Sequence, residues 1–235
     1  MSEVIDLTRP MTRETLVALG GKRVTDGWMV GEVRLEFLRS YAAGHNTAQC
    51  VWTIGDHLGT HVDAPVHVIE GAPAIDEIDL GRLVGEAFVA DCTRARGRGI
   101  TDRDLEAATA GLRAGDILLL YVDEPPGDID HFIEHQTFVT VPAARWMVAH
   151  GVSAVGVETA CFEHAYQRTV VDRAYEPPET NPWPAHRICL ESDVYIIEGL
   201  TGLAPLAGQR VHFAAAPLPV PGSSGSPVRA FAWRS

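Results

Sequence analysis

The densest chemistry in the chain lies in eleven residues, His57-Leu-Gly-Thr-His61-Val-Asp63-Ala-Pro-Val-His67. Three of the 10 histidines gather here with one aspartate. His57 and His61 are four apart, a spacing that would put them on one face of a helix. Gly59, Thr60, Val62 and Pro65 oppose a helix through backbone entropy, β-branching and ring clash. An extended chain serves better. His57, His61, Asp63 and His67 all occupy odd positions, so a pleated backbone sends them to one side. Gly59 leaves room for a close turn or a ligand, and Pro65 can bend His67 towards the same pocket. Two imidazoles and a carboxylate suit zinc, manganese or ferrous iron, with water in the remaining positions. Such an ion brings the pKa of its water close to neutrality. The expected arrangement is an ion held by His57, His61 and Asp63, with His67 unliganded and free to carry protons.

Side chains of this kind need a scaffold, and the rest of the chain supplies one. Val33–Phe37 alternates apolar and charged residues, the period of a half-buried strand. Ala87–Ala90, Ile117–Tyr121, Ala154–Val157, Val194–Ile197 and Val211–Ala215 are short apolar runs that read as buried strands. Thr101 with Asp104 forms a capping box for a helix over Asp102–Ala110. A second helix runs from Pro142 to His150 and is stopped by Gly151; a third, shorter one covers Ala185–Glu191. The mixture predicts an α/β fold. The Pro- and Gly-rich patches are short and sit between apolar runs, so residues 1–235 read as a single domain with loops.

The formal charge of −12, from 19 Lys+Arg against 31 Asp+Glu, argues against a nucleic-acid partner. The opening Met1-Ser-Glu-Val-Ile-Asp has no basic patch followed by an apolar run, and no stretch is long enough to span a membrane. Cys50, Cys92, Cys161 and Cys189 are widely spaced and read as reduced thiols. A cytoplasmic protein without membrane partners is expected.

The string His57–His67 resembles the signature of the metal-dependent cyclase-type hydrolases, a family that includes bacterial kynurenine formamidase and isatin hydrolase. Val4-Ile-Asp-Leu-Thr8, Gly151–Thr159, Val194–Leu200 and Gly225–Ala230 resemble other segments of that family, so the likeness extends along nearly the whole chain. It implies a swivelling β/β/α fold with a mixed sheet. It also implies a homodimer or homotetramer in which an N-terminal segment reaches a neighbour's site. In the formamidase branch the motif aspartate bridges two metals, and the second metal takes a His and a Glu separated by eleven residues. His186 and Glu198 have that spacing here. Glu198 also ends an apolar strand, a costly place for a charge without a partner or ligand. The resemblance therefore implies one or two divalent ions, zinc or manganese, and a small-molecule amide substrate: an N-formyl aryl amine or a cyclic amide or imide. A cyclase or dehydratase acting on a polyketide-like carbonyl is the enzymatic alternative, and a non-catalytic metal-binding scaffold the other. Two departures from the formamidases stand out, Ser192 in place of a second histidine and Glu158-Thr-Ala-Cys161 in place of Asp-Thr-Pro-Ser. Both are expected to alter the substrate's surroundings.

His131-Phe-Ile-Glu134-His135 matches a zinc-peptidase pattern, but its flanks are poor for a helix and it reads as a loop. Trp28, Trp52 and Trp183 are candidates to line a pocket for a ring-containing substrate. Cys161, Glu163 and His164 lie close together, yet no partner spacing supports Cys161 as a ligand, so it reads as a small buried residue. His45, His150 and His212 read as structural or surface residues.

Overall fold

Apolar runs spaced along the sequence become the middle of one mixed sheet. The computed structural model describes residues 3–11, 34–124, 135–163 and 183–234. Their strands are β1 (Val4–Asp6), β2 (Arg34–Arg39), β3 (Gln49–Thr53), β4 (His61–Asp63), β5 (Val84–Asp91), β6 (Gly99–Ile100), β7 (Ile117–Tyr121), β8 (Phe138–Val139), β9 (Ala154–Val157), β10 (Tyr195–Glu198), β11 (Arg210–Ala214), β12 (Gly225–Pro227) and β13 (Phe231–Trp233). The helices among them are α1 (Asp102–Ala108), α2 (Val141–Ala149) and α3 (Pro184–Glu191).

Nine of these strands form one sheet in the order β1-β13-β11-β5-β7-β9-β10-β4-β12. The centre, β5-β7-β9-β10, is parallel, and the flanks are antiparallel. Parallel strands must be covered on both faces, so they read as continuous apolar runs rather than alternating ones. Ile117–Leu120 and Ala154–Val157 are buried throughout, as that rule requires. The helices pack side by side, α1 on α2 and α2 on α3, with α1 also touching β5 and α3 touching β10. The fold is a mixed α/β architecture, as the sequence predicts. No helix among the described residues is long and apolar enough to cross a membrane.

The local signals explain the helix boundaries. Thr101 and Asp104 form both halves of the capping box, and α1 ends two residues earlier than expected. Pro142 sits in the first turn of α2 and Gly151, with φ +69°, follows its end. Pro184 likewise starts α3.

The first strand differs from expectation. The alternating run pairs with β3 as a separate two-stranded hairpin, and it is exposed rather than half-buried. Phe37 is 68% exposed and Trp52 50% exposed. Alternation predicts one covered face, but among the described residues nothing in this chain covers it. Val33 and Trp28 lie outside the described residues, as do His131, Glu134 and His164.

Candidate metal centre

Strand register does most of the assembly. β4 lies between β10 and β12, with His61 opposite Glu198 and Asp63 opposite Ile196. Opposed residues share a face, and the two-residue period puts Asp63 on the face of His61. The three buried side chains therefore meet: His61 Nε2 lies 3.4 Å from Asp63 Oδ1 and 3.5 Å from Glu198 Oε2. On the other side of β4, Gly225 stands opposite Asp63. A Cβ at Gly225 would lie 2.7 Å from the His57 ring and 2.9 Å from the Val62 carbonyl oxygen, so glycine is what leaves His57 its seat.

The eleven-residue segment is not a single extended strip. Only His61–Asp63 is strand. His57 enters from a preceding turn in which Gly59 adopts φ +70°, and His67 ends a short 3-10 turn opened by Pro65. The backbone breaks at the glycine and the proline because those residues favour conformations a strand does not use. The side chains converge all the same. His57 Nδ1 is 2.7 Å from Asp63 Oδ1, its Nε2 is 2.8 Å from Ser224 Oγ, and the His57 and His67 rings are 4.0 Å apart.

His186 arrives from the first turn of α3, a long way from this segment in sequence. Glu163 places it. One carboxylate oxygen accepts from the backbone N–H of Ala185 at 2.9 Å; the other accepts from the N–H of His186 at 2.9 Å and faces His186 Nδ1 at 2.7 Å. Glu163 thus caps α3 and fixes the ring, whose Nε2 then points at Glu198 Oε1, 3.3 Å away, and Asp63 Oδ2, 3.8 Å away. Glu198 is held in turn by the N–H of Phe162 at 2.6 Å.

The donors are sufficient for a divalent cation. Among the described residues, three groups have candidate ligand atoms all within 4.8 Å of one another: His57, Asp63 and His67; His61, Asp63 and Glu198; and Cys161, His186 and Glu198. Asp63 is 1% exposed, and its Oδ2 has no hydrogen-bond partner among the described residues. Buried polar atoms are normally satisfied, and a bare carboxylate oxygen in a dry site costs several kcal/mol. A cation beside that oxygen removes the deficit, so the residues fit the ion.

The electrostatics point the same way. Burial works against charge on His61, but the carboxylates of Asp63 and Glu198 outweigh it and raise its pKa to about 9. Burial likewise opposes charge on His186, and Glu163 and Glu198 override it to give about 10. Asp63 is held well below the usual carboxylate range: burial opposes its charge, but hydrogen bonds with His57 and His61 win. His67 behaves differently. Burial, the largest influence, combined with the neighbouring histidines, pulls its pKa down to about 4 against the pull of Asp63.

Glu163, Ser224 and Cys161 are the residues that sequence reasoning undervalued. Glu163 stands 23 residues before His186 and Ser224 stands 167 after His57, so no local spacing could connect them. No sequence spacing gives Cys161 a partner, but the tertiary structure brings His186 and Glu198 to it. Burial and Glu198 push its thiol pKa well up. Glu163→Gln should lower metal affinity by about 10- to 100-fold, the usual cost of losing a residue that orients a ligand. Competition against a chelator measures it, with unchanged helix content as control.

The remaining candidates divide. Trp183 packs edge-on against His186 at 5.5 Å, whereas Trp52 lies on the exposed hairpin. His45 bonds to Ser40, His150 stacks on Trp146, and His212 contacts Glu86 and Trp233, all outside the cluster. His135 is exposed. Ser192 closes the end of α3 opposite His186 and is exposed, so that departure does not reach the cluster within this chain. The Glu158–Cys161 turn does reach it, and Glu158 itself is tied to the N–H groups of Val122 and Asp123 at 3.0 Å.

The Cyclase family model, described as "Putative cyclase", matches residues 5–164, more than half of the chain. Kynurenine formamidase of Geobacillus thermodenitrificans is 28% identical over 178 residues, covering 76% of each chain. Isatin hydrolase of Roseibium aggregatum is 26% identical over 198 residues, covering 76% of this chain and 72% of the relative. In structure, isatin hydrolase A from Ralstonia solanacearum superimposes with a TM-score of 0.81 at 24% identity, over 100% of this chain and 92% of that one, a likeness of fold. The family match and the shared architecture agree, and the chain belongs to the Cyclase family.

Proposed function

We propose that this protein is a metal-dependent hydrolase that cleaves a small amide, either an N-formyl aryl amine or a cyclic amide or imide. The observation that carries the reading is the convergence of His57, His61, His186 and Glu198 on Asp63, whose Oδ2 is buried without a donor among the described residues. Relatives named kynurenine formamidase and isatin hydrolase support the amide class. In this reading residues 1–235 act as one domain.

His57, His61 and Asp63 would hold one ion; His186 and Glu198, with Asp63 shared, would hold a second. Zinc or manganese suits these nitrogen and oxygen donors. When bound, such an ion polarises a carbonyl and makes water nucleophilic near neutral pH. The chain's own residues do the rest. The His67 pKa is pulled down to about 4, so the ring is neutral at pH 7 and one nitrogen is free to take a proton from water. The same nitrogen then returns that proton to the leaving nitrogen of the amide. Trp183, against His186, offers an aromatic face to a ring-bearing substrate. Glu163 keeps the His186 ring in register throughout.

A panel of N-formyl aryl amines and cyclic amides or imides tests the reading against a panel of polyketide-like carbonyl compounds. Turnover confined to the second panel would favour a cyclase or dehydratase. Bound metal without turnover on either would favour a scaffold.

Proton release is a second measurable consequence. His61 and His186 carry pKa values of about 9 and about 10 in the ion-free chain, so both hold protons at pH 7 that a cation must displace. Adding zinc or manganese in dilute buffer at pH 7 should release at least about two protons per chain, one from each of these histidines. A pH indicator reads this, and apparent affinity should climb as pH rises towards 9.

The oligomer also belongs to this proposal. The β2–β3 hairpin exposes Leu35, Phe37, Tyr41 and Trp52, and an isolated hairpin is marginal in water. A second copy of the chain covering it, as a homodimer or homotetramer, resolves both problems. Phe37→Glu with Trp52→Glu should yield monomers in sedimentation equilibrium. The location proposed is cytoplasmic, consistent with four free thiols.

A further inference from the structure

Resting on the hydrolase reading, we propose that Cys161 is a ligand of the second metal position, which is therefore built from Cys161, His186 and Glu198 with Asp63 shared between the two positions. Three consecutive residues tie this turn to the cluster. Cys161 places its sulfur within 4.8 Å of ligand atoms of both His186 and Glu198. Phe162 donates its N–H to Glu198 Oε1 at 2.6 Å, and Glu163 holds His186 Nδ1 at 2.7 Å. The Cys161 carbonyl is itself fixed by Gln136 Nε2 and Thr159 Oγ1, both at 2.9 Å, so the thiol is carried on a braced turn. An independent observation points to a ligand in the same place. Asp63 Oδ2 is buried, has no donor among the described residues, and lies 3.8 Å from His186 Nε2.

The chemistry makes the two positions unequal. His57, His61 and Asp63 present two nitrogens and an oxygen, and leave a coordination site for water. Cys161, His186, Glu198 and Asp63 would present sulfur, nitrogen and two carboxylates, the four protein donors that a structural zinc site uses. Sulfur is a soft donor that selects zinc or cobalt over manganese or magnesium. The second position is thus a closed, zinc-selective site that anchors Asp63, while the first accepts either ion and faces the substrate. On binding, the thiol proton passes to buffer as the sulfur–metal bond forms, with no change of oxidation state. A small buried cysteine beside the site would show none of this behaviour.

Cobalt(II) titration of the metal-free, full-length protein decides the matter. The expected spectrum has a sulfur-to-cobalt charge-transfer band in the near ultraviolet that accounts for one of two bound equivalents. Cys161→Ser should lose that band, keep the visible absorption of the other ion, and bind the second ion at least about tenfold more weakly. Iodoacetamide labelling read by peptide mass mapping should show Cys161 shielded by metal in the wild type and unshielded in His186→Ala. The wild-type spectrum and labelling stand even where a variant fails to fold. Cobalt bound without the sulfur band, or a band that persists in Cys161→Ser, overturns the Cys161 assignment alone. A chain that binds no cobalt overturns the hydrolase reading as well.

Discussion

Asp63→Ala is expected to lose the ion held with His57 and His61, to weaken binding of the second, and to lower turnover on the order of a thousandfold or more, since a Lewis acid worth several kcal/mol is removed at about 1.4 kcal/mol per tenfold in rate. In the proposed site both ions share this residue. Its Oδ1 faces His57 at 2.7 Å and His61 at 3.4 Å, and its Oδ2 faces His186. Removing it leaves only His57 and His61 at the first position, too few donors for an ion, and leaves Cys161, His186 and Glu198 at the second, a weaker set than the four. Metal analysis after dialysis measures the loss directly. Thermal unfolding supplies a second measurement, because an ion that binds only the folded chain raises its melting temperature. That rise should be clear in the wild type and much smaller in Asp63→Ala. Full metal content in the variant would falsify the ligand assignment.

His67→Ala has the opposite signature. Metal content should stay near that of the wild type while kcat falls by about 10²- to 10⁴-fold, the range of a general acid–base residue. The measurement separates two roles that geometry alone leaves close together, because His67 lies within ligand distance of His57 and Asp63. Loss of one metal equivalent in His67→Ala would make His67 a ligand instead of a proton carrier.

The pH dependence follows from the same burial. Folding lowers the pKa of His67 from 6.5 to about 4, so the unfolded chain takes up the proton first as the solution is acidified. The cost of keeping His67 neutral is absent above pH 6.5, grows as pH falls below it, and is complete below about pH 4. Metal-free His67→Ala should therefore lose less stability than the metal-free wild type across that window. Denaturant titrations at pH 7 and pH 5 would show the difference.

The sequence alone determined the chemistry and the scaffold class. Donor types at fixed spacing in His57–His67 named an ion, since imidazole and carboxylate at short range are expensive to bury otherwise. The apolar runs at Ile117–Tyr121 and Ala154–Val157 named buried strands, and Thr101, Pro142 and Gly151 named helix ends, because these signals act within a few residues. Family resemblance extended that reading to His186 and Glu198.

Only the tertiary structure decided how the donors meet. The β4–β10 register sets Glu198 opposite His61, and the α3 cap by Glu163 turns His186 towards Asp63. The same folding broke the expected strip at Gly59 and Pro65, left the β2–β3 hairpin uncovered by the described residues, and carried Cys161 to His186 and Glu198, 25 and 37 residues away. Pairing between remote strands depends on which surfaces the whole chain can bury together. No local spacing records that choice.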